Sequence, residues 1–537
     1  MKGQNPQIPS ILFVVLLASL AGAQSLPRLK PIPPLGTATQ SATLTANASS
    51  ASSPWQPLTN QPNFLGCGAA NPLLLTDGTV MVQDAGCQAW WKLIPDNTGS
   101  YVNGTWSRLA LLPPGYAPLY HSSAVLPDGR VIIEGGEYNF FRAVWTNKGA
   151  IYDPVANTWT SVAPPSFFVG CCGIAAQTIG DAQSVVLANG TYMQADCCST
   201  QGALLNATNL TWTPTGSGKF DPNDEEGWTL LPNNHVLTVD GYVPIAPFPY
   251  MPTGTNSEIY DPGTGSWQTA GSTIVQLWDS AAACGGEQNA TFEVGPAVLR
   301  PDGTVFATGA NTCGTGYPGH TAIYNSNTGT WAAGPDFPGA LNIADGPASL
   351  EINGKVLLMA SPGFGNPPST FLEWDGASLT EVSGPPNAAS DGSYYGNMLI
   401  LPTGQILLTD FSRDIEIYTP AGTYNPVWAP TIQKVSTRLS PGGSYVISGT
   451  LFNGMSQGAA YGDDVQAATN YPLVRITNKA TGHVFYSRTH DHSSMAVAFG
   501  GRVSTHFDVP LNQEAGASEL VVVANGIPSA PVTVNVQ

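Results

Sequence analysis

The feature that most constrains this chain is a hairpin that recurs seven times. "NPLLLTDGTVMVQD", "YHSSAVLPDGRVIIEGG", "AQSVVLANGTYMQAD", "GWTLLPNNHVLTVDG", "PAVLRPDGTVFATGA", "ASLEINGKVLLMAS" and "NMLILPTGQILLTD" each fold two apolar runs about a tight turn, mostly of Asp, Asn and Gly. Those residues supply the backbone angles that close antiparallel strands. A second element follows several copies: "IYDPVANTWT", "IYDPGTGSWQ", "IYNSNTGTWA" and, less regularly, "FLEWDGASLT". Four strands recurring every roughly 40 to 60 residues predict a β-propeller, whose blades bury their faces only against one another. The seventh hairpin is followed by "IEIYTP" without a clear tryptophan strand, while a spare one, "SPWQPLTNQP" at 53–62, precedes the first. The N-terminal segment is therefore expected to supply the outermost strand of the last blade, closing the ring and removing an exposed edge.

Composition agrees: 59 Gly, 46 Pro and only 10% charged residues suit many short strands and turns. From about Thr423 the repeat stops. "APTIQKVSTRLSPGGSYVISGTLF", "YPLVRITNKATGHVFYSR" and "ASELVVVANGIPSAPVTVNVQ" alternate like the strands of a small sandwich. The expected fold is all-β, a seven-bladed propeller over 55–422 followed by an immunoglobulin-like sandwich over 423–537.

Residues 1–23 read as a secretory signal peptide: one Lys, an apolar run from Ile11 to Leu20, then Ala21-Gly22-Ala23. The run is too short and wrongly flanked to span a bilayer, and no later run is long enough. Residues 24–54, rich in Pro, Ser, Thr and Ala, read as a tether. The expected product is secreted, extracellular or periplasmic, without membrane insertion. A net charge of −18 argues against nucleic acid and anionic membrane surfaces as partners. Sequons at Asn47, Asn103, Asn189, Asn206, Asn209 and Asn289 accept glycans only in a host that glycosylates.

The eight cysteines fall in groups, Cys67 with Cys87, Cys171-Cys172 with Cys197-Cys198, and Cys284 with Cys313. An even count in an exported chain favours disulfides over catalytic thiols or a zinc site. Cys67 and Cys87 lie ten residues either side of Asp77 and should face each other at the open end of one hairpin. Pairing within the second group stays open.

The innermost strand of each propeller blade starts at the central channel, so equivalent positions form a ring. Counting eight residues before each turn gives Ala69, Tyr120, Asp181, Glu225, Val294 (or Glu293 if "LRPDG" carries a bulge), Asp345 and Tyr395. Carboxylates crowded about one axis repel unless water or a cation relieves them, so the ring reads either as a wet funnel or as a cation or polar-ligand site. The sandwich carries "SRTHDHSSM", in which His490 and His492 share one strand face and Asp491 takes the other.

The order of propeller, sandwich and Thr-His loop resembles the copper radical oxidases, galactose oxidase and glyoxal oxidase, over nearly all of the mature chain. The resemblance implies a kelch-type propeller with an early-set sandwich that pushes a histidine into the axis. It implies copper held by two histidines and two tyrosines, one tyrosine being cross-linked to a cysteine. Carried over by position, Tyr120 in "LYHSSAVLPDG" matches the cross-linked tyrosine and Tyr138 an aromatic stacked over that link. Tyr394 in "SYYGNMLILPTG" matches the axial tyrosine and His490 the sandwich histidine. Two members are missing. The family's Tyr-His pair is here Tyr394-Tyr395, and its cysteine position falls on Ala69, with Cys67 two residues away and Cys87 competing for it. A thioether-tyrosine cofactor is therefore not expected. The donor set shifts from nitrogen toward oxygen, and so from copper toward a harder divalent cation. His121 should point away from the axis.

Three readings follow. The first is a binder of carbohydrate or a related polar ligand at the axial face, with Tyr138, Asp181, Glu225, Glu293 and Asp345 as binding groups. Aromatic inserts at Trp90-Trp91, Phe140-Phe141 and 242–250 would serve for stacking or for plain packing between blades. The second is a divergent oxidase of alcohols or aldehydes that makes hydrogen peroxide with Tyr120, Tyr394, Tyr395 and His490 at a metal. The third is acid/base chemistry by the axial carboxylates.

Overall fold

The computed structural model describes residues 53–64, 67–171, 177–280, 290–310, 317–363 and 365–537. The signal peptide, nearly all of the tether, Asn47, Asn289, Cys172, Cys284 and Cys313 lie outside them. Seven antiparallel blade sheets follow in chain order, six of four strands and that of the sixth blade extended to six. Their innermost strands are Ala69–Leu74, Ser122–Val125, Ser184–Val186, Thr229–Leu230, Ala297–Leu299, Ala348–Leu350 and Asn397–Ile400. The last blade is completed by Trp55–Pro57, with Trp55 opposite Tyr418 and Pro57 opposite Glu416. This is the closure expected from the spare tryptophan segment.

The repeat has a physical reading at each turn. Asp77, Asp128 and Asp302 each accept, through Oδ1, the backbone N–H two residues on, an Asx turn that pins the hairpin. In the second half of the unit, Tyr152, Tyr260 and Tyr324 stand directly opposite Trp159, Trp267 and Trp331. Their ring centroids lie 5.0, 5.3 and 5.1 Å apart, cross-strand aromatic pairs that hold the outer ladder. Indole N–H groups of Trp106, Trp159 and Trp212 donate to the carbonyls of Asn60, Ala110 and Ala163, tying each outer strand to the segment that enters its blade.

The C-terminal unit is a sandwich whose two sheets share one strand. Val484–His490 pairs first with Leu473–Asn478, then, over its last three residues, with Val503–Asp508. Leu439, Ile447, Val474, Ile476, Phe507, Leu520 and Val534 fill its core. The end of that shared strand rests on the hairpin turns of the first two blades: Thr489 N–H donates to the Thr76 carbonyl, and His492 N–H to that of Pro127. Between Ser444–Thr450 and Leu473–Asn478, residues 451–472 leave the sandwich as a finger that enters the propeller.

Candidate functional site at the axial mouth

The finger is built to be gripped by many blades at once. Ala459–Ala460 adds a strand to the inner edge of the sixth blade, opposite Ala348 and Ser349. The Leu230 N–H donates to Gln457 Oε1 at 2.7 Å, and Ser123 Oγ donates to the Gln466 carbonyl at 2.9 Å. At the tip, Tyr461 donates its phenol to the Tyr394 carbonyl at 2.8 Å. Gly462 has no room for a side chain, since a Cβ there would lie 2.6 Å from Asp345 Oδ1.

The tip meets the ring of inner-strand starts. Tyr120, Tyr138, Tyr394, Phe411, Tyr461 and Val465 form one buried cluster, with Tyr395, Phe141 and Cys67 packed against it. Tyr120 lies edge-on to Tyr138 and tilted on Phe411, both at 6.1 Å between centroids, and Tyr394 and Tyr395 stand 4.5 Å apart. Burial pushes the Tyr394 phenol well above the ordinary tyrosine range, and its hydrogen bond with Tyr395 raises it further. Beside the phenols, Asp181, Glu225 and Asp463 bring carboxylate oxygens within 4.8 Å of one another, all buried. Asp345 abuts Gly462 in the same region, and Glu293 is fully buried one residue after Phe292.

The backbone at these positions is unusual. Tyr120, Glu225 and Asp345 have φ of 49°, 59° and 53°, and Phe292, beside Glu293, has 67°. Gly68 and Gly180 take the same left-handed turn at the first and third blades. For residues with a Cβ that conformation costs about 1–2 kcal/mol, and such strain persists where the surroundings fix it, often at functional sites.

The structure brings some of the residues expected at the axis together and leaves His490 apart. Tyr120, Tyr138, Tyr394 and Tyr395 come together, and Asp181 and Glu225 converge. His490 does not join them. Its Nδ1 lies 2.8 Å from Asp491 Oδ2 and its Nε2 3.2 Å from Asp508 Oδ1, with the His506 ring stacked at 5.4 Å. Neighbouring Arg488 bonds the Asp128 carbonyl, which places this group at the hairpin turns, roughly 20 Å along an inner strand from Tyr120. The strand bearing His490 ends on the near face of the propeller and cannot follow the finger through it. None of the chain's seven histidines is at the mouth: His121 contacts Asn71 and Trp90 and is held near pKa 3 by burial, and His492 contacts Thr505 and Tyr471. The others pair at the periphery, His235 with Asp261, His320 with Asp336 and His483 with Glu514.

Tyr461 and Asp463 were missed by the sequence reading. The signal was available: "NGMSQGAAYGDDVQAATN" is a long excursion between two sandwich strands, and such connections are seldom mere linkers. Four of the five described cysteines fit the disulfide reading; the fifth, Cys197, is not in either bonded pair and its Sγ lies 3.4 Å from that of Cys198 and 3.9 Å from that of Cys171, a correction to the expectation that all eight are bridged. Cys67 is bonded to Cys87, and Cys171 to Cys198, which settles one pairing left open. Ala69 is fully buried at the position where the family resemblance implied a cysteine. The donors at the mouth are phenols and carboxylates, a set that fits a hard cation better than the two-histidine copper centre the resemblance implied.

No family model matches the sequence. The Kelch-like protein terF of Aspergillus terreus is 29% identical over 138 residues, which cover 25% of this chain and 26% of that protein. The matched stretch is thus about a quarter of either chain. Among solved structures, a fungal alcohol oxidase of the AA5 family in complex with copper aligns with a TM-score of 0.45 at 13% identity, covering 90% of this chain and 98% of that one. A catalytically inactive virginiamycin B lyase from Staphylococcus aureus with quinupristin aligns at 0.44 and 9%, covering 68% and 98%. The strand order itself makes the molecule an all-β, seven-bladed propeller followed by a β-sandwich.

Proposed function

We propose that the chain is an exported protein that binds a polyhydroxylated ligand, a carbohydrate or a relative of one, at the axial mouth. A hard divalent cation would be held by Asp181, Glu225 and Asp463. The observation that carries this reading is the convergence of those three buried carboxylates, two from different blades and one from the finger. Oxygen-only donor sets suit calcium, manganese or magnesium, and a cation so held offers open positions to sugar hydroxyls.

The wall above the carboxylates supports the ligand class. Tyr138–Asn139 and Arg142–Ala143 form a small ribbon at the mouth. Its turn residues Phe140 and Phe141 have φ of 52° and 58°, and Phe140 is 43% exposed. An aromatic ring held in solvent by a strained turn is a stacking platform for a sugar face. Among the aromatic inserts Trp90 and Tyr242 instead pack inside the molecule. Export is consistent with the two disulfides, and no helix among the described residues is long and apolar enough to cross a membrane.

The test is calorimetric titration with calcium and manganese, then with mono- and oligosaccharides in the presence of the bound cation. The proposal expects saturable cation binding and cation-dependent sugar binding that Phe140→Ala weakens. Five clustered phenols, Tyr120, Tyr138, Tyr394, Tyr395 and Tyr461, favour a second, redox reading. A peroxide assay on galactose, glyoxal and glycerol with added copper decides it: one equivalent of copper with peroxide release would replace the binding reading.

A further inference from the structure

A second acidic group lies away from the axis, between the sixth and seventh blades. Asp391 follows the short 3-10 turn Pro386–Ala389 that crosses between them, while Asp410, Asp414 and Glu416 line the connection from Ile406–Thr409 to Glu416–Tyr418. Asn387 Nδ2 donates to Asp410 Oδ2 at 3.0 Å and to Asp414 Oδ1 at 3.1 Å, so the two segments meet through one amide. Asp391 faces Asp410 and Asp414 across this junction. Burial, with its acidic neighbours, pushes Asp391 up to about 9.

Glu416 is the independent observation. It is fully buried, and neither of its carboxylate oxygens has a hydrogen-bond partner. The charges it faces are Asp410, Asp414 and Asp391, and with burial they push it up to about 10. The same propeller shows how an inter-blade acidic group is neutralised internally. Buried Lys219 contacts Asp221, Glu226 and Glu258 at 2.7, 2.9 and 2.7 Å. Among the described residues no lysine or arginine makes an ion pair with Asp391, Asp410, Asp414 or Glu416, and Arg413, set between two of them in sequence, is exposed. Four adjacent carboxylates without a basic partner are compatible only with bound protons or a bound cation.

We infer that Asp391, Asp410, Asp414 and Glu416 form a calcium-type cation site that clamps the crossing segment 386–395 to the loop 410–416. The oxygens are hard donors from two segments, as such ions require. The clamp has a consequence at the mouth, because the same segments carry Tyr394, Tyr395 and Phe411, three of the rings packed there. The site is separate from the axial carboxylates and does not depend on the proposed function.

The test uses the full-length mature chain carrying Asp463→Asn, so that the axial group is disabled, and follows melting temperature and stoichiometry with calcium against chelator. About one equivalent of calcium should bind and raise the melting temperature. Adding Glu416→Gln or Asp391→Asn should abolish that rise while leaving the chelator-treated protein at least as stable as its parent, since an unrelieved buried charge has been removed. Failure of the Asp463→Asn protein to respond to calcium would overturn the inference. So would a calcium response that survives both added substitutions. If Glu416→Gln does not fold, the Asp391→Asn arm decides alone.

Discussion

The two ends of the propeller channel are both built by the sandwich, and they carry opposite chemistry. At the hairpin-turn end the shared strand Val484–His490 delivers His490 to Asp491 and Asp508, with His492 buried behind it. At the mouth, the finger delivers Tyr461 and Asp463 to phenols and carboxylates. Reach explains the division. A strand that docks on the turns stops there, whereas residues 451–472, extended out and back at about 3.3–3.6 Å per residue, can span roughly 35 Å and pass through the ring. Which side chains a sandwich offers to the axis is set by the length of its connections, not by the identity of a motif on its strands.

The sharpest way to break this comparison is at the finger tip. Tyr461→Ala removes a buried ring and its bond to Tyr394, and should cost about 3–5 kcal/mol in denaturant unfolding, while Tyr461→Phe should cost about 1 kcal/mol. An unchanged midpoint for both would mean that the finger is not seated as described.

The ends should also fail at opposite extremes of pH. Burial, with His490 nearby, holds His492 down at about 3. Above the unfolded value near 6.5 neither state is protonated. As pH falls from there toward 3, only the unfolded chain takes the proton, and stability is lost. His492→Asn should remove this part of the acid sensitivity. At the mouth the sign is reversed. The Tyr394 phenol is raised, so its contribution is intact below about pH 10 and stability falls as pH rises beyond it. Acid and alkaline unfolding curves of His492→Asn and Tyr394→Phe, each altered on one side only, would sharpen the contrast.

The smallest effect is expected where the family resemblance placed the most weight. His490→Ala should lower stability by no more than about 1 kcal/mol, as for a solvent-facing ion pair. It should leave the environment of the tyrosines, read by near-ultraviolet dichroism, unchanged.

The scaffold was largely legible because its repeats carry local chemistry: Asp turns, Tyr-Trp cross-strand pairs and a spare Trp55 that closes the ring. The ring positions Tyr120, Asp181, Glu225 and Asp345 were legible for the same reason, since a period fixes equivalent places. What escaped was non-periodic. Tyr461 and Asp463 belong to no repeat, and their place depends on a tertiary path that spacing does not encode. The left-handed φ of Tyr120 and Glu225 was equally hidden, because residues of that type do not announce it as Gly68 does. His490 misled because a short motif on a strand says nothing about which end of a channel that strand meets.

The central claim is that the mouth, not the histidine end, is the cation and ligand site, and metal titration of three proteins tests it most directly. The wild type should bind manganese in an all-oxygen environment by electron paramagnetic resonance. Asp463→Asn should weaken that axial binding by on the order of 100-fold or more, and His490→Ala should leave it intact. Nitrogen hyperfine coupling from a bound copper that is lost in His490→Ala but kept in Asp463→Asn would contradict it.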